Sequence, residues 1–488
     1  MATTLQASRP AGEAQPYRWR WMALAVVLIA EIMDLLDATV TNIAAPAIRA
    51  ELGGGNSLMQ WIGAGYVLAF AVGLVTGGRL GDIYGRRRMF LIGTAGFTLF
   101  SVLCGLAPSP ELLIVFRALQ GAAGAVLIPQ GLGIIRDSFP PKELAAAMGA
   151  FGPVMGLAAV GGPVLGGYLV DADLFGTGWR MIFLINLPVG LLAFAGGLRF
   201  VREARAARRP RLDLMGVALL SATLLLVIYP LVQGHELGWP AWIFALLAAS
   251  VPMLAIFVRH ELRRQRAGLD PLVEMSLFRK RPFTGGLVVG LSFFSIMTGF
   301  MFIAGLFFQL GLGFSPLATS VALIPVALGI AIGATVGGAL TERVGRRLMH
   351  LGALAGVAGL AAQYLTLRQT GADVSAWQLA PSMLVVGVGL GMLMTPFFGI
   401  VLAGVSDEEV GSASGLLPAV QQLGTALGLA VLGTVFFELV GDGPAAWSPA
   451  GFASATGTVL LVQAGGLALT FALTYLLPRR ARADVEHG

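Results

Sequence analysis

Gly78-Arg-Leu-Gly-Asp82-Ile-Tyr-Gly85-Arg86-Arg87-Arg88-Met89 returns 260 residues later as Gly338-Ala-Leu-Thr-Glu342-Arg-Val-Gly345-Arg346-Arg347-Leu-Met349, with the acid, the second glycine and two arginines in register. Each copy lies between the second and third apolar run of a set, so the chain reads as a tandem duplication. Two polar loops can share a G-x-L and arginines by chance, but matching positions in two sets of runs argue against that. The motif suits a latch at one membrane face. Its glycines permit tight turns, Asp82 can face a helix N-terminus, and Arg86 and Arg87 can pair across to the other half or to lipid phosphate. A bare excess of basic residues at that face would explain the arginines but not Asp82 or Gly85.

Outward from this motif the chain is apolar almost throughout. Of 488 residues, 56% are hydrophobic and 67 are glycine, while 12% are charged, about half the ~25% of a soluble domain. So few charges cannot cover a core of this size, so lipid is the expected solvent. A membrane helix needs about 20 mainly apolar residues. Fourteen such runs are read, near 21 to 45, 58 to 78, 89 to 107, 112 to 135, 144 to 170, 180 to 198, 213 to 233, 240 to 258, 283 to 311, 316 to 340, 348 to 367, 377 to 403, 412 to 437 and 453 to 477. The 260-residue offset exceeds one six-helix half, and the surplus matches the seventh and eighth runs. The expected organisation is a tail at 1–20, a six-helix bundle at 21–198, arginine-rich segments flanking an inserted helix pair at 199–282, a second bundle at 283–477 and a tail at 478–488. Parallel repeats of this kind suit two halves that rock about a central site.

Charge distribution fixes the expected orientation. With both termini cytoplasmic, 28 of the 32 basic residues fall on cytoplasmic segments, and only Arg49, Arg180 and Arg368 fall outside, as the positive-inside rule requires. Arg117 lies within a span. The first run exceeds a signal-peptide core and reads as an uncleaved anchor, so the chain is expected to be a multi-pass protein of the cell (inner, cytoplasmic) membrane.

Several chemistries are excluded. The single cysteine, Cys104, sits in an apolar run without a Cys or His at metal-ligand spacing and is read as a packing residue. His235, His260, His350 and His487 all fall in or beside polar connections, giving no support to a histidine proton relay or a zinc site. Neither lysine, Lys142 or Lys280, follows a glycine, so there is no phosphate-binding G-x-x-x-x-G-K-[ST] loop. No nucleotide, nucleic acid, metal or cofactor is expected, no enzymatic activity is read, and a monomer is anticipated.

These motifs, with three more, give the chain a resemblance to the major facilitator superfamily, and more closely to its fourteen-helix drug:proton antiporters of the EmrB/QacA type. The loop signature matches Gly78 to Arg88, with Ile83 where a basic residue is usual. A fourth-helix signature reads Arg117-Ala-Leu-Gln120-Gly121-Ala-Ala-Gly124-Ala125. A fifth-helix antiporter signature runs from Gly149 to Gly162-Pro163-Val-Leu-Gly166-Gly167, with Ala158 replacing one glycine. A first-helix pattern reads Leu36-Asp37-Ala-Thr39-Val-Thr-Asn42-Ile-Ala44-Ala-Pro46. The stretches Gln309 to Pro325 and Gly411 to Gly424 also look like this branch. The resemblance implies an all-α fold of two six-helix bundles plus an inserted hairpin, and a cavity lined by the first and fourth helices and their counterparts. Its implied activity is proton-coupled export of lipophilic or cationic drugs by alternating access.

The chemistry rests on Glu31, Asp34 and Asp37, three carboxylates in one span. An ionised side chain at bilayer depth costs at least ~2.5 kcal/mol, so such residues normally face a cavity and carry function. At 100° per residue Asp34 and Asp37 lie about 60° apart, and Glu31 and Asp37 about 120°. They form one polar flank. Proton and cationic substrate can compete for such carboxylates, and competition in a two-state carrier gives exchange. Asp37, which also fits the family pattern, is ranked first for coupling, then Asp34 and Glu31, with Arg117 and Gln120 as partners. The plain alternative is a carboxylate paired with Arg117 to fix helix packing, or an Arg117 that snorkels to the headgroups.

Gly162 and Gly166, four residues apart, allow close helix approach, while Pro153 and Pro163 promote bending, together suggesting a hinge or a leak-tight seam. Gln309, Gln421 and Gln422 can line a cavity or cap helix contacts, and Glu438 reads as interfacial. Phe293, Phe294, Met297, Phe300, Met301 and Phe302 offer surface to an aromatic ligand or simply pack. Uptake or lipid transport on the same scaffold is the nearest alternative function; a non-transporting receptor or scaffold is the alternative of another class.

Overall fold

The computed structural model describes residues 17–204, 211–402, 410–441 and 447–478, and every regular element among them is helical. The helices are α1 (Arg20–Leu52), α2 (Asn56–Tyr84), α3 (Arg86–Gly105), α4 (Pro110–Ser138), α5 (Pro141–Asp171), α6 (Met181–Leu184), α7 (Asn186–Phe200), α8 (Leu214–Gln233) and α9 (Ala241–Arg266). They continue with α10 (Arg281–Leu306), α11 (Pro316–Ala322), α12 (Ile324–Val344), α13 (Arg346–Thr370), α14 (Ala376–Leu402), α15 (Val410–Val440) and α16 (Pro449–Leu473). Twelve helices among the described residues are long and apolar enough to cross a membrane, with α6–α7 and α11–α12 each counting as one. Of the fourteen runs expected from the sequence, the first and fifth fall instead in α1, 33 residues long, and α5, 31 residues long. The physical reason is plain for α1, which carries six charged residues from Arg20 to Glu51.

The duplication seen in the loop motif extends to the packing. In the first set of helices α2 lies against α4, α3 against α4, α1 against α5 and α3 against α7. In the second set the same positions pair as α12 with α14, α13 with α14, α10 with α15 and α13 with α16. Lipid is as apolar as leucine, so helices associate in it by close approach rather than by hydrophobic exclusion. The α2–α4 contact shows how. A β-carbon on Gly121 would lie 2.1 Å from the carbonyl oxygen of Tyr66, and one on Gly77 would lie 1.9 Å from that of Ala125. Both positions require glycine. On the perimeter, α9 turns Trp242, Phe244, Val251, Leu254 and Ile256 outward, as a lipid-facing helix should.

The two copies of the loop motif take the same shape. Gly85 ends α2 at φ +109°, and Gly345 ends α12 at φ +58°, a region that side chains other than glycine's rarely enter. The expected pairing of the arginines across to the other half is not what the fold provides. Arg86 donates to Asp82 at 3.3 Å and to Asp137 on α4 at 3.0 Å, and Arg87 donates to the carbonyls of Gly197 and Leu198 at the end of α7. They tie one bundle together at its own end. Gly78 packs beside Pro129, and Arg79 donates to the carbonyls of Arg211, Asp270 and Pro271, the chain that brackets the inserted pair. The Glu342 side chain lies outside the described residues.

Contacts between the first and second sets cluster toward the opposite end. Ser320 donates to the carbonyl of Pro163 at 2.6 Å, Gln309 to that of Ile43 at 3.0 Å, and Asp171 accepts from Ser315 Oγ at 2.6 Å and Leu317 N at 3.1 Å. There α8 and α9 bridge the seam. Glu236 accepts from Ser57 N at 2.6 Å and Oγ at 2.8 Å, capping α2, while His235 meets Glu438 of α15 at 3.0 Å and Thr434 donates to the Leu231 carbonyl. Glu438 is thus a partner of the inserted pair. Residues 17–20, read as tail, are tied down: Tyr17 donates to the Phe200 carbonyl at 3.0 Å and Arg20 pairs with Glu143 at 2.7 Å. Residues 1–16 and 479–488 of the expected tails, 205–210, and the side chains of Gly149 to Pro153 and Gly411 to Gly415 lie outside what is described.

Candidate functional site

A single charged network sits where α1, α2, α4 and α7 meet. Arg117, with 1% of its surface exposed, donates from Nη1 to Asp37 and to Gln120 Oε1 at 2.8 Å, and from Nε to the carbonyl of Ile62 at 3.0 Å. Asp37, 2% exposed, also accepts at Oδ1 from Gln120 Nε2 at 2.8 Å and from Asn186 Nδ2 at 3.0 Å. Asn186 in turn donates to Ser101 Oγ at 2.9 Å, which donates to the carbonyl of Phe183 at 2.9 Å. Cys104, expected to be packing alone, places Sγ 3.6 Å from Gln120 Oε1. Charged groups this deep persist only when paired and hydrogen-bonded, and here both are. The reading of Arg117 as a snorkelling side chain is therefore incorrect, because its guanidinium turns inward to a carboxylate.

Asp34 and Glu31 sit differently. Both are half-buried, and they face glycines of α4. Gly124 leaves room for Asp34, since a β-carbon there would come 3.2 Å from Oδ1, and Gly131 leaves room for Glu31, at 2.9 Å from Oε1. Asp34 accepts from the Tyr66 hydroxyl, and the Arg117 guanidinium lies 4.3 Å from the centre of the Tyr66 ring. Tyr66 thus touches Asp34 with its hydroxyl and Arg117 with its face, so a charge change at Asp34 is one ring away from the Arg117–Asp37 pair. At 1.5 Å per residue the three carboxylates descend α1 over about 9 Å.

Tyr66, Asn186 and Ser101 were missed from the sequence. Each is an isolated polar side chain in an otherwise apolar span, a signal of the same kind that singled out the acids. The phenylalanines of α10 turn inward as packing: Phe293, Phe294, Phe300 and Phe302 are all buried in the main core. Gln421 and Gln422 are half-buried.

The glycines from Gly162 to Gly167 form a seam. β-Carbons on Gly162 and Gly166 would collide with Thr39 Oγ1 at 2.8 Å and Val40 at 2.3 Å on α1, while one on Gly167 would collide with the Pro316 carbonyl at 2.6 Å on α11. Together with the Pro163–Ser320 bond, these put α5 against its own bundle and the other at once.

A family model described as Major Facilitator Superfamily matches residues 27–429. Curated relatives include a probable actinorhodin transporter of Streptomyces coelicolor, 51% identical over 88% of this chain and 74% of that protein. A tetracenomycin C resistance and export protein of Streptomyces glaucescens is 36% identical over 86% of this chain and 77% of that protein. A puromycin resistance protein of Streptomyces alboniger is 36% identical over 96% and 93%. Among solved structures, a bacterial homologue of the lysosomal transporter Spinster, inward-facing and unoccupied, aligns with TM-score 0.67 at 16% identity over 94% of this chain and 97% of that one, a likeness of fold.

Proposed function

The chain belongs to the Major Facilitator Superfamily and is a multi-pass membrane transporter rather than an enzyme, and from that premise we propose that it exports lipophilic, often cationic small molecules of the antibiotic class in exchange for protons. Relatives named for antibiotic export and resistance support the cargo class. In this reading α1 and α5 also cross the bilayer, giving the fourteen spans of the EmrB/QacA type: two six-helix bundles about the inserted pair α8–α9. The arginine-rich end is cytoplasmic, with both chain termini there.

The observation that carries the coupling is the graded enclosure of three acids on one helix. Asp37 is sealed and held by Arg117, Gln120 and Asn186, whereas Asp34 and Glu31 are half-buried beside glycines. We therefore assign proton exchange and cation competition to Asp34 and Glu31, and to Asp37 the anchoring of Arg117. This reverses the order that sequence suggests, because the residue best fitted to the family pattern is the one least able to reach water. Protonating Asp34 weakens its hold on the Tyr66 hydroxyl, and the ring relays the change to Arg117. Gly162, Pro163, Gly166 and Gly167 serve as the seam on which α5 pivots.

The test is transport in proteoliposomes with an imposed proton gradient and a cationic dye. Gradient-driven dye movement should be lost in Asp34→Asn combined with Glu31→Gln, with protein folding intact. Full transport by that double variant would remove both acids from the coupling role. Dye movement only into the compartment corresponding to the cytoplasm would favour uptake instead.

A further inference from the structure

The base of the inserted pair, at the arginine-rich end, gathers three metal-ligating side chains outside the network above. Asp213 caps α8, accepting from Gly216 N at 2.8 Å, and its carboxylate has no exposed surface. His260 on α9 sets Nε2 2.9 and 3.2 Å from the two Asp213 oxygens. Glu261 is 0% exposed; its Oε2 accepts from Val273 N at 3.0 Å, while Oε1 is shut off from solvent with no hydrogen-bond partner. That orphan oxygen points at the same spot as Asp213: a β-carbon on Gly216 would lie 2.5 Å from Glu261 Oε1 and 2.7 Å from Asp213 Oδ2. One donor atom from each of the three lies within 4.8 Å of the others, a grouping that occurs once among the described residues.

Two enclosed carboxylates side by side repel, and an unpartnered buried oxygen costs the full desolvation of that atom. Arg264 sets Nε 3.0 Å from Asp213 Oδ2, which balances one charge, but its Nη2 is directed to the carbonyls of Asp270 and Leu212. Burial works against a charge on Asp213, yet hydrogen bonds from His260 and the Gly216 amide, with the charges of His260 and Arg264, outweigh it and hold the carboxyl below the ordinary range.

We propose that Asp213, His260 and Glu261 bind a divalent transition-metal ion of the zinc class. One imidazole nitrogen with two carboxylate oxygens is a donor set that zinc accepts, leaving a fourth position for water, and His260, a quarter exposed, lies on the entry side. The ion's role is structural. It fastens α8 to α9 and, through Glu261 and Val273, to the segment whose Asp270 and Pro271 carbonyls receive Arg79. The metal would thereby pin the loop motif to the inserted pair.

The experiment uses the full-length protein in detergent, with any affinity tag removed and metal stripped by chelator. Titration with zinc chloride should saturate at one ion per chain and raise the melting temperature of the wild type. Cobalt(II) in its place should show visible ligand-field bands. His260→Ala and Glu261→Gln should each weaken binding by at least about tenfold, the smallest loss usual even for outer-shell changes, and abolish the cobalt bands. Absence of saturable binding, or equal zinc affinity in wild type and His260→Ala, would overturn the proposal. A melting temperature indifferent to zinc would do the same, pointing instead to a proton shared by the two carboxylates. If Glu261→Gln does not fold, His260→Ala, at a position a quarter exposed, is the deciding variant.

Discussion

Asp37→Asn separates the two roles proposed for acids on α1. The substitution keeps the side-chain shape and removes the charge. Arg117 would remain 1% exposed with its carboxylate partner gone, and Gln120 and Asn186 would both direct amide donors at position 37. Breaking a buried ion pair by removing one partner costs about 3–5 kcal/mol, because the other charge is left uncompensated. For a bundle of this size each kcal/mol moves a melting temperature by about 2–4 °C, so the variant should melt on the order of 10 °C lower. Asp34→Asn, at a half-buried site, should shift it by only a few degrees. The assay is thermal unfolding of detergent-purified protein followed by size-exclusion fluorescence. Asp37→Asn combined with Arg117→Gln should recover much of the loss, since no lone charge then remains. If Asp37→Asn melts with the wild type and the double variant melts no higher, the pair is not an anchor and the division of labour proposed here fails.

Other outcomes follow from single contacts. Gly121→Ala forces a β-carbon to within 2.1 Å of the Tyr66 carbonyl, so it should destabilise by at least about 1–3 kcal/mol, read as a lower melting temperature. Glu236→Ala removes the cap that joins the inserted pair to α2 and should loosen the seam between α2 and α15. A cysteine placed at Gln60, buried on α2 with its amide against Gly433 of α15, would then react faster with an impermeant maleimide in right-side-out vesicles, with little background because Cys104 is buried; an unchanged rate would refute the bridging role. Asp213 has a lowered pKa, so its contribution to stability is present above the unfolded carboxylate value of about 3.9 and is lost as pH falls through the lower folded value. In metal-stripped protein Asp213→Asn should therefore melt below wild type near neutral pH, and the gap should close in strong acid. A gap that persists unchanged in strong acid would remove the charge from the explanation.

What the sequence determined by itself is whatever follows from local composition and repetition. Apolar runs of about 20 residues with so few charges dictate membrane helices, since lipid offers no partner to an open backbone. The repeat of Gly78–Met89 at Gly338–Met349 announced two related sets of helices, and three acids in one run marked α1 as the chemical helix. Tertiary structure decided which partner each of those acids meets. Enclosure depends on what α2, α4 and α7 place opposite each side chain, so Asp37 and Asp34, three residues apart, meet Arg117 and Tyr66 respectively. Tertiary structure also decided where the motif arginines reach. Arg86 and Arg87 stay within their own bundle because their partners, Asp137 and the end of α7, come from sequence 51 and about 110 residues away. The grouping of Asp213 with His260 and Glu261 was invisible for the same reason: the residues are 47 apart along the chain, and the turn between α8 and α9 brings them together. Spacing reports only neighbours along a helix or strand, whereas charge compensation depends on neighbours across helices.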